Sequence, residues 1–152
     1  RPRAYLAREL GSGSADAALE FVLDDRAFAS GRTLVEGPVP EGYAPPAGEA
    51  RLVRDDPERV EVRTRSDRPA LLVLNDSFAA GWSAAVDGRP AAILPANYLA
   101  RGVWVEAGEH AVAFAYRTPM LREGWALAAA FFLGLAAWAL ARRRGAAPEP
   151  AA

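Results

Sequence analysis

Residues 71–116 read LLVLNDSFAAGWSAAVDGRPAAILPANYLARGVWVEAGEHAVAFAY, and the apolar positions there recur mostly every second residue. Leu71 to Leu74 is apolar at each position, the pattern of a central strand covered on both faces. Trp82, Ala84 and Val86 alternate with Ser83 and Ala85, and Asp87-Gly88 follows at once. A two-residue hairpin turn needs positive φ at both central positions, and Asp-Gly tolerates it. Ala91 to Leu94 is then the expected return strand. Gly102 to Glu106 predicts another strand and Ala107-Gly108 a turn. Val112, Phe114 and Tyr116, alternating with alanines, predict the last strand.

Towards the N-terminus the same period continues. Val60, Val62 and Thr64 alternate with Glu61, Arg63 and Arg65 in a half-buried strand, and Arg51 to Arg54 predicts the one before it. Gly37 to Gly48 contains Pro38, Pro40, Pro45 and Pro46 and reads as a loop, with a short strand at Thr33 to Glu36 ahead of it. Asp16 opens AALEFVLDD, where Leu19, Val22 and Leu23 fall at helical spacing. Ser14 or Asp16 suits the cap, and Asp24-Asp25 opposes the helix dipole and should end the helix. Gly11 to Ser14 reads as a breaker. Arg1 to Arg8 predicts a strand with Ala4 and Leu6 on one face and Tyr5 on the other. Short strands at intervals of roughly 8–12 residues indicate an antiparallel sandwich.

Beyond the strands the pattern changes. Gly124 to Ala141, GWALAAAFFLGLAAWALA, carries no charge. At 1.5 Å per residue it covers about 27 Å, close to the ~30 Å hydrocarbon core of a bilayer. Trp125 and Trp138 sit near its ends, where indole rings favour the interface, and Pro119 suits a first helical turn. Arg142, Arg143 and Arg144 follow the run directly, and by the positive-inside rule that end is cytoplasmic. The expected architecture is mainly β: an antiparallel β-sandwich-like extracytoplasmic domain with one short helix over residues 1–117, a single C-terminal transmembrane helix over 118–141, and a basic, disordered cytoplasmic tail over 142–152. A domain placed outside has to be exported. Neither a signal peptide nor an earlier span lies between Arg1 and the domain, so the expectation is a piece of a longer polytopic protein.

Composition narrows the chemistry. The formal net charge of −1 gives no basic face for nucleic acid. Cysteine is absent, which removes disulfides, zinc–thiolate sites and thiol nucleophiles. His110 is the single histidine, with no nucleophile motif around Ser77 or Ser83 and no second histidine at metal-ligand spacing, so it reads as a turn histidine bonding to backbone. Asp87 is accounted for by its turn and Asp76 by an Asx-turn, leaving no carboxylate pair for glycoside hydrolysis. Asp55, Asp56 and Glu58 lack the alternating ligands and glycine of a calcium loop. Arg63, Arg65 and Arg68 stand among Glu61 and Asp67 as a mixed, solvated face. No catalytic, cofactor-binding or metal-binding residue is expected.

Trp82 shares a face with Ala84 and Val86 and belongs to the core. Trp104 has the opposite parity from Val103 and Val105 and points outward, where it can meet lipid, another part of the protein, or a sugar ring. With Asn97, Tyr98 and Arg101 on the adjoining loop it forms the candidate glycan or partner surface. Trp125, Trp138 and Arg142 to Arg144 are the expected membrane-anchoring residues.

The ordered set Asp76, Gly81-Trp82, Val86-Asp87-Gly88, Ala96-Asn97, Arg101-Gly102-Val103, Gly108, His110, Phe114, Tyr116 and Pro119 also carries a resemblance. Together with the opening Pro2 to Leu6 and the DAALEFVLDD segment, it resembles the C-terminal region of the YfhO-type family of bacterial polytopic membrane proteins. The likeness covers nearly the whole chain. That family is regarded as similar to the C-type glycosyltransferases, which use lipid-linked sugar donors at the outer face of the membrane. The resemblance implies a parent that modifies a cell-envelope glycopolymer or lipid, with acidic catalytic residues in early loops outside this chain. Its implied partners are the bilayer, the N-terminal spans of the same protein, and envelope glycan or lipid-linked sugar. The alternative is a membrane-anchored carbohydrate- or protein-binding sandwich of a surface protein.

Overall fold

The computed structural model describes residues 2–145, apart from the side chains of Phe28, Arg122 and residues 143–145. It divides into two compact units, one ending at Arg117 and the other beginning at Thr118. In chain order the first unit contains β1 (Ala4–Leu6), β2 (Glu9–Ser12), α1 (Ala15–Leu23), α2 (Asp25–Ala29), β3 (Arg32–Val35), β4 (Gly48–Asp56), β5 (Arg59–Ser66), β6 (Ala70–Leu74), β7 (Trp82–Val86), β8 (Arg89–Ala91), β9 (Leu94–Ala96), β10 (Ala100–Val105) and β11 (Gly108–Tyr116).

These strands form two sheets, ordered β1-β6-β10-β9-β3-β2 and β4-β5-β11-β7-β8. Their facing sides share one core. Leu6, Leu72, Leu74, Val103 and Val105 from the first sheet meet Val60, Val62, Val112 and Phe114 from the second. The alternation in β5 and β11 is the direct cause, because it sends every second residue inward. β6 is buried along its whole length. Its odd-numbered residues, Leu71 and Val73, lie in a second cluster with Ala7, Val35, Ala96 and Ala100 on the outer side of the sheet. The proline-rich segment between β3 and β4 helps to cover that side, with the Tyr43 hydroxyl donating to the carbonyl of Ala7.

Several local expectations are refined. The helical region is two helices: Ser14 caps α1, and the Asp24 carboxylate accepts from the amides of Arg26 and Ala27, so the residue that ends one helix starts the next. Leu23 is exposed at the end of α1. Gly11 and Ser12 are part of β2 rather than a breaker, and β2 pairs with β3 in parallel, the one parallel pair among the described strands. A Cβ at Gly11 would stand 2.7 Å from the Arg32 side chain and 2.9 Å from Leu34. The expected return strand at Ala91 to Leu94 is split: β8 ends at Ala91 in one sheet and β9 begins at Leu94 in the other, so Ala92 and Ile93 cross the sandwich. Pro90 is tolerated because β8 is an edge strand. The Asp87-Gly88 turn has the expected positive φ values of 50° and 79°.

The second unit holds α3 (Leu121–Gly145). Pro119 precedes this helix instead of opening it, since Met120 has a left-handed φ of 59°. The stretch Glu123–Arg142 is long and apolar enough to cross a membrane, with mean hydropathy 1.8 and none of it buried. The helix continues through the three arginines, and residues 146–152 of the expected disordered tail lie outside the described residues.

Gly48 is fixed by close approach of backbone rather than of a side chain. A Cβ at Gly48 would lie 2.0 Å from the backbone oxygen of Arg65, across the β4–β5 ladder. Gly48→Ala is therefore expected to destabilise the sandwich by about 1–3 kcal/mol, the usual cost of overpacking. The drop in thermal midpoint of the full chain in detergent measures it.

Candidate functional site

The four residues of the expected surface do not converge. β10 carries Arg101 at its beginning and Trp104 near its end, with side chains on opposite faces of the sheet. Arg101 points into the sandwich and is 2% exposed. Its guanidinium carbon lies 3.7 Å from the centroid of the Trp82 ring and 5.6 Å from that of Phe114. Nη2 lies 3.2 Å from Asp76 Oδ2, and Nε donates to the Asp76 carbonyl at 3.4 Å. Nη1 is buried with no hydrogen-bond partner among the described residues. Burial pulls the Arg101 pKa down, and the Asp76 charge offsets part of that.

Asp76 is the centre of a larger node. Arg3 grips its carboxylate through Nε and Nη2 at 3.1 and 3.0 Å, a two-pronged contact that raises the arginine pKa. Arg3 also reaches Asp55. The expected Asx-turn role of Asp76 thus gives way to an ion-pair role: its carboxylate joins β1, β10 and the chain after β6. Of the acidic group at 55–58, Asp55 pairs with Arg3, and Asp56 with Arg54 at 2.5 Å. The mixed character of the arginine face holds in Arg65–Glu109 at 3.8 Å and Arg68–Asp67 at 2.8 Å.

Asn97 is also buried, and its amide acts as a staple. Oδ1 accepts from the Leu34 amide at 3.0 Å and Nδ2 donates to the Tyr5 hydroxyl at 3.1 Å. With Tyr98 it forms a strained turn, at φ values of 46° and 67°. Tyr98 and Leu99 are exposed at the tip.

Trp104 lies at the opposite end of β10 and is half-buried on the outer side of its sheet. Its ring meets that of Tyr43 edge to face, with centroids 6.0 Å apart. The two rings, with Pro40 and Pro69, line an open cleft of about 450 Å³ bordered by Glu41, Arg68 and Glu106. Burial raises the Tyr43 pKa. Tyr43, Arg68 and Glu106 are companions of Trp104 that the alternating pattern does not mark. The available signal was an aromatic inside a proline run, GYAPP, where a bulky ring has to rest on something.

His110 bonds a carboxylate rather than backbone alone. Its Nδ1 lies 2.6 Å from Asp87 Oδ2, while Asp87 Oδ1 accepts from the Ala111 amide at 2.8 Å. The pair holds the hairpin turn against β11. Comparisons with protein-family models, curated proteins and solved structures find no match to this chain.

Two outcomes follow from these contacts. Asp76→Ala leaves the buried Arg101 without its anion and should cost about 3 kcal/mol. Arg101→Met removes the buried charge itself and should cost less; chemical denaturation of both variants gives the order. Asp87 raises the His110 pKa, chiefly by hydrogen bonding, and is itself lowered by the same bond. The pair's contribution is complete below the ordinary histidine value of about 6.5 and fades as pH rises through the raised value; at the acid end it fades as Asp87 protonates below the usual carboxylate range. A proton-NMR titration of the single histidine should give a midpoint above about 6.5, falling in Asp87→Asn.

Proposed function

We propose that this chain is the non-catalytic C-terminal accessory domain and last membrane span of a polytopic membrane protein, one that uses lipid-linked sugars to modify cell-envelope glycopolymers or lipids. The observation that carries the reading is the position of the sandwich's two chain ends. The Asn75 amide donates to the Arg3 carbonyl, Arg3 and Arg101 share Asp76, Arg101 lies over Trp82, Trp82 pairs with Tyr116, and the Arg117 amide donates to Gly81. Arg3 and Arg117 therefore stand at one end of the sandwich. A domain whose chain enters and leaves at the same end suits a loop between two spans. α3 supplies the second span, and its three arginines favour the orientation with the sandwich outside the cytoplasm. Arg142 lies 4.6 Å from the Trp138 ring centroid, a pairing suited to an interfacial end.

The chemistry in this reading belongs to upstream residues. Asp87 and His110 tie a turn together, and Asp76 is committed to two arginines. In the parent protein, Asp87→Asn and His110→Ala should leave sugar transfer from a polyprenyl-phosphate donor unchanged, while substitution of an acidic residue in an upstream outward loop should abolish it. Loss of transfer in the two variants here, with the fold retained, would overturn the non-catalytic assignment. An upstream sequence lacking several hydrophobic segments of about 20 residues would overturn the polytopic one.

The Tyr43–Trp104 cleft favours a second reading, an anchored carbohydrate-binding module. Aromatic faces suit the C–H face of a sugar, and Glu41, Arg68 and Glu106 offer partners for its hydroxyls. Under that reading Trp104→Ala abolishes retention on immobilised envelope glycan but also lowers the thermal midpoint, because the ring packs on the outer cluster, whereas Glu106→Ala at the exposed rim weakens retention without that loss.

A further inference from the structure

We infer that the tip formed by Phe78, Tyr98 and Leu99 seats in the headgroup region of the lipid bilayer. The inference rests on α3 crossing that bilayer, as proposed above. The Phe78 amide donates to the Leu99 carbonyl, so the two loops that carry these side chains are joined edge to edge. Phe78 is 42% exposed, Tyr98 36% and Leu99 55%. Among the described side chains of the sandwich, the other large exposed hydrophobics are Leu23 and Val53, which stand apart on α1 and at the β4 bulge.

Location selects the occupant. The Trp82 amide donates to Ala79 and the Arg117 amide to Gly81, which places the Phe78 loop at the end where the chain leaves for α3. Thr118, Pro119 and Met120 alone separate Arg117 from the helix. Such a tether spans at most about 14 Å, so the surface that takes up α3 lies within reach of this end. Arg117 is exposed there and adds a cation for lipid phosphate. Tyrosine is enriched at the membrane–water interface, and Phe78 and Leu99 beside Tyr98 add apolar surface to bury there. The turn is also held rigid for the purpose: Asn97 and Tyr98 keep left-handed backbone, and the buried Asn97 side chain fixes it from below.

The cysteine-free chain permits a direct test. Phe78→Cys, Leu99→Cys, Glu109→Cys and Leu133→Cys are each introduced singly into the full chain and tagged with a nitroxide. The proteins are reconstituted in vesicles of phosphatidylethanolamine and phosphatidylglycerol. Collision with oxygen, which partitions into lipid, is compared with collision with a water-soluble nickel chelate. The expected result is an oxygen-to-nickel ratio several-fold higher at 78 and 99 than at 109, with 133 higher still. Equal ratios at 99 and 109, with 133 in hydrocarbon, overturn the inference alone. Protection of 78 and 99 from both collision partners means that protein covers the tip and also overturns it. A water-exposed 133 removes the membrane span and the inference together.

Discussion

A strand with apolar side chains on both faces cannot lie at the surface of a two-layer sandwich unless something covers its second side. β6 imposes that demand here: all five of its residues are buried, three facing the opposite sheet and two facing away. The inner side is covered by β5, β7 and β11. The outer side needs another layer, and Tyr43 in the proline-rich segment contributes to it. Packing of this kind is worth roughly 1.5–3 kcal/mol for each fully buried large aliphatic side chain. The connection between β3 and β4 is therefore part of the fold. Its prolines limit the freedom of the unfolded segment and so reduce what ordering it costs.

The polar node at the other end obeys a different rule. A buried guanidinium is costly unless its charge is met. Trp82 meets it on one face and Asp76 at the edge. Asp76 in turn holds Arg3, which fastens the short strand β1 to the remainder. Three residues of β1 offer few ladder hydrogen bonds, so side-chain contacts at its start carry a large share of its attachment. The sandwich is thus tied by apolar burial through its middle and by ion pairs at the end where the chain enters.

β5, β7 and β11 were legible because each turns every second residue into the core and the others away from it, which period two records directly, and β6 was legible as a continuous apolar run. Asp87-Gly88 was legible because few other residue pairs accept its backbone. The parallel β2–β3 pairing was not, since a four-residue strand through Gly11 shows no period. Neither was the crossing at Ala92-Ile93, where the apolar run stays continuous while its strand changes sheets. Arg101 illustrates a deeper limit. Parity placed Trp104 correctly on the outer side, and the same parity assigns Arg101 to the inner face with Val103 and Val105. Charge argued for the surface, and the neighbouring Trp82 and Asp76 that make burial tolerable lie far away in sequence. The cleft beside Trp104 was half visible: the tryptophan from its parity, and its tyrosine partner only once the loop had a path.

Having both chain ends at one end of the sandwich also governs how the domain bears load. When a protein's termini lie at opposite ends of neighbouring strands, tension shears many hydrogen bonds at once and resistance is high. Tension between Arg3 and Arg117 instead peels β1 from β6 one ladder bond at a time, beginning at the Arg3 contacts with Asp76 and Asp55. Those ion pairs are then the clasp that lateral movement of the flanking chain would strain first, while β11, which takes the same tension at Arg117, is paired along both edges with β5 and β7 and holds longer.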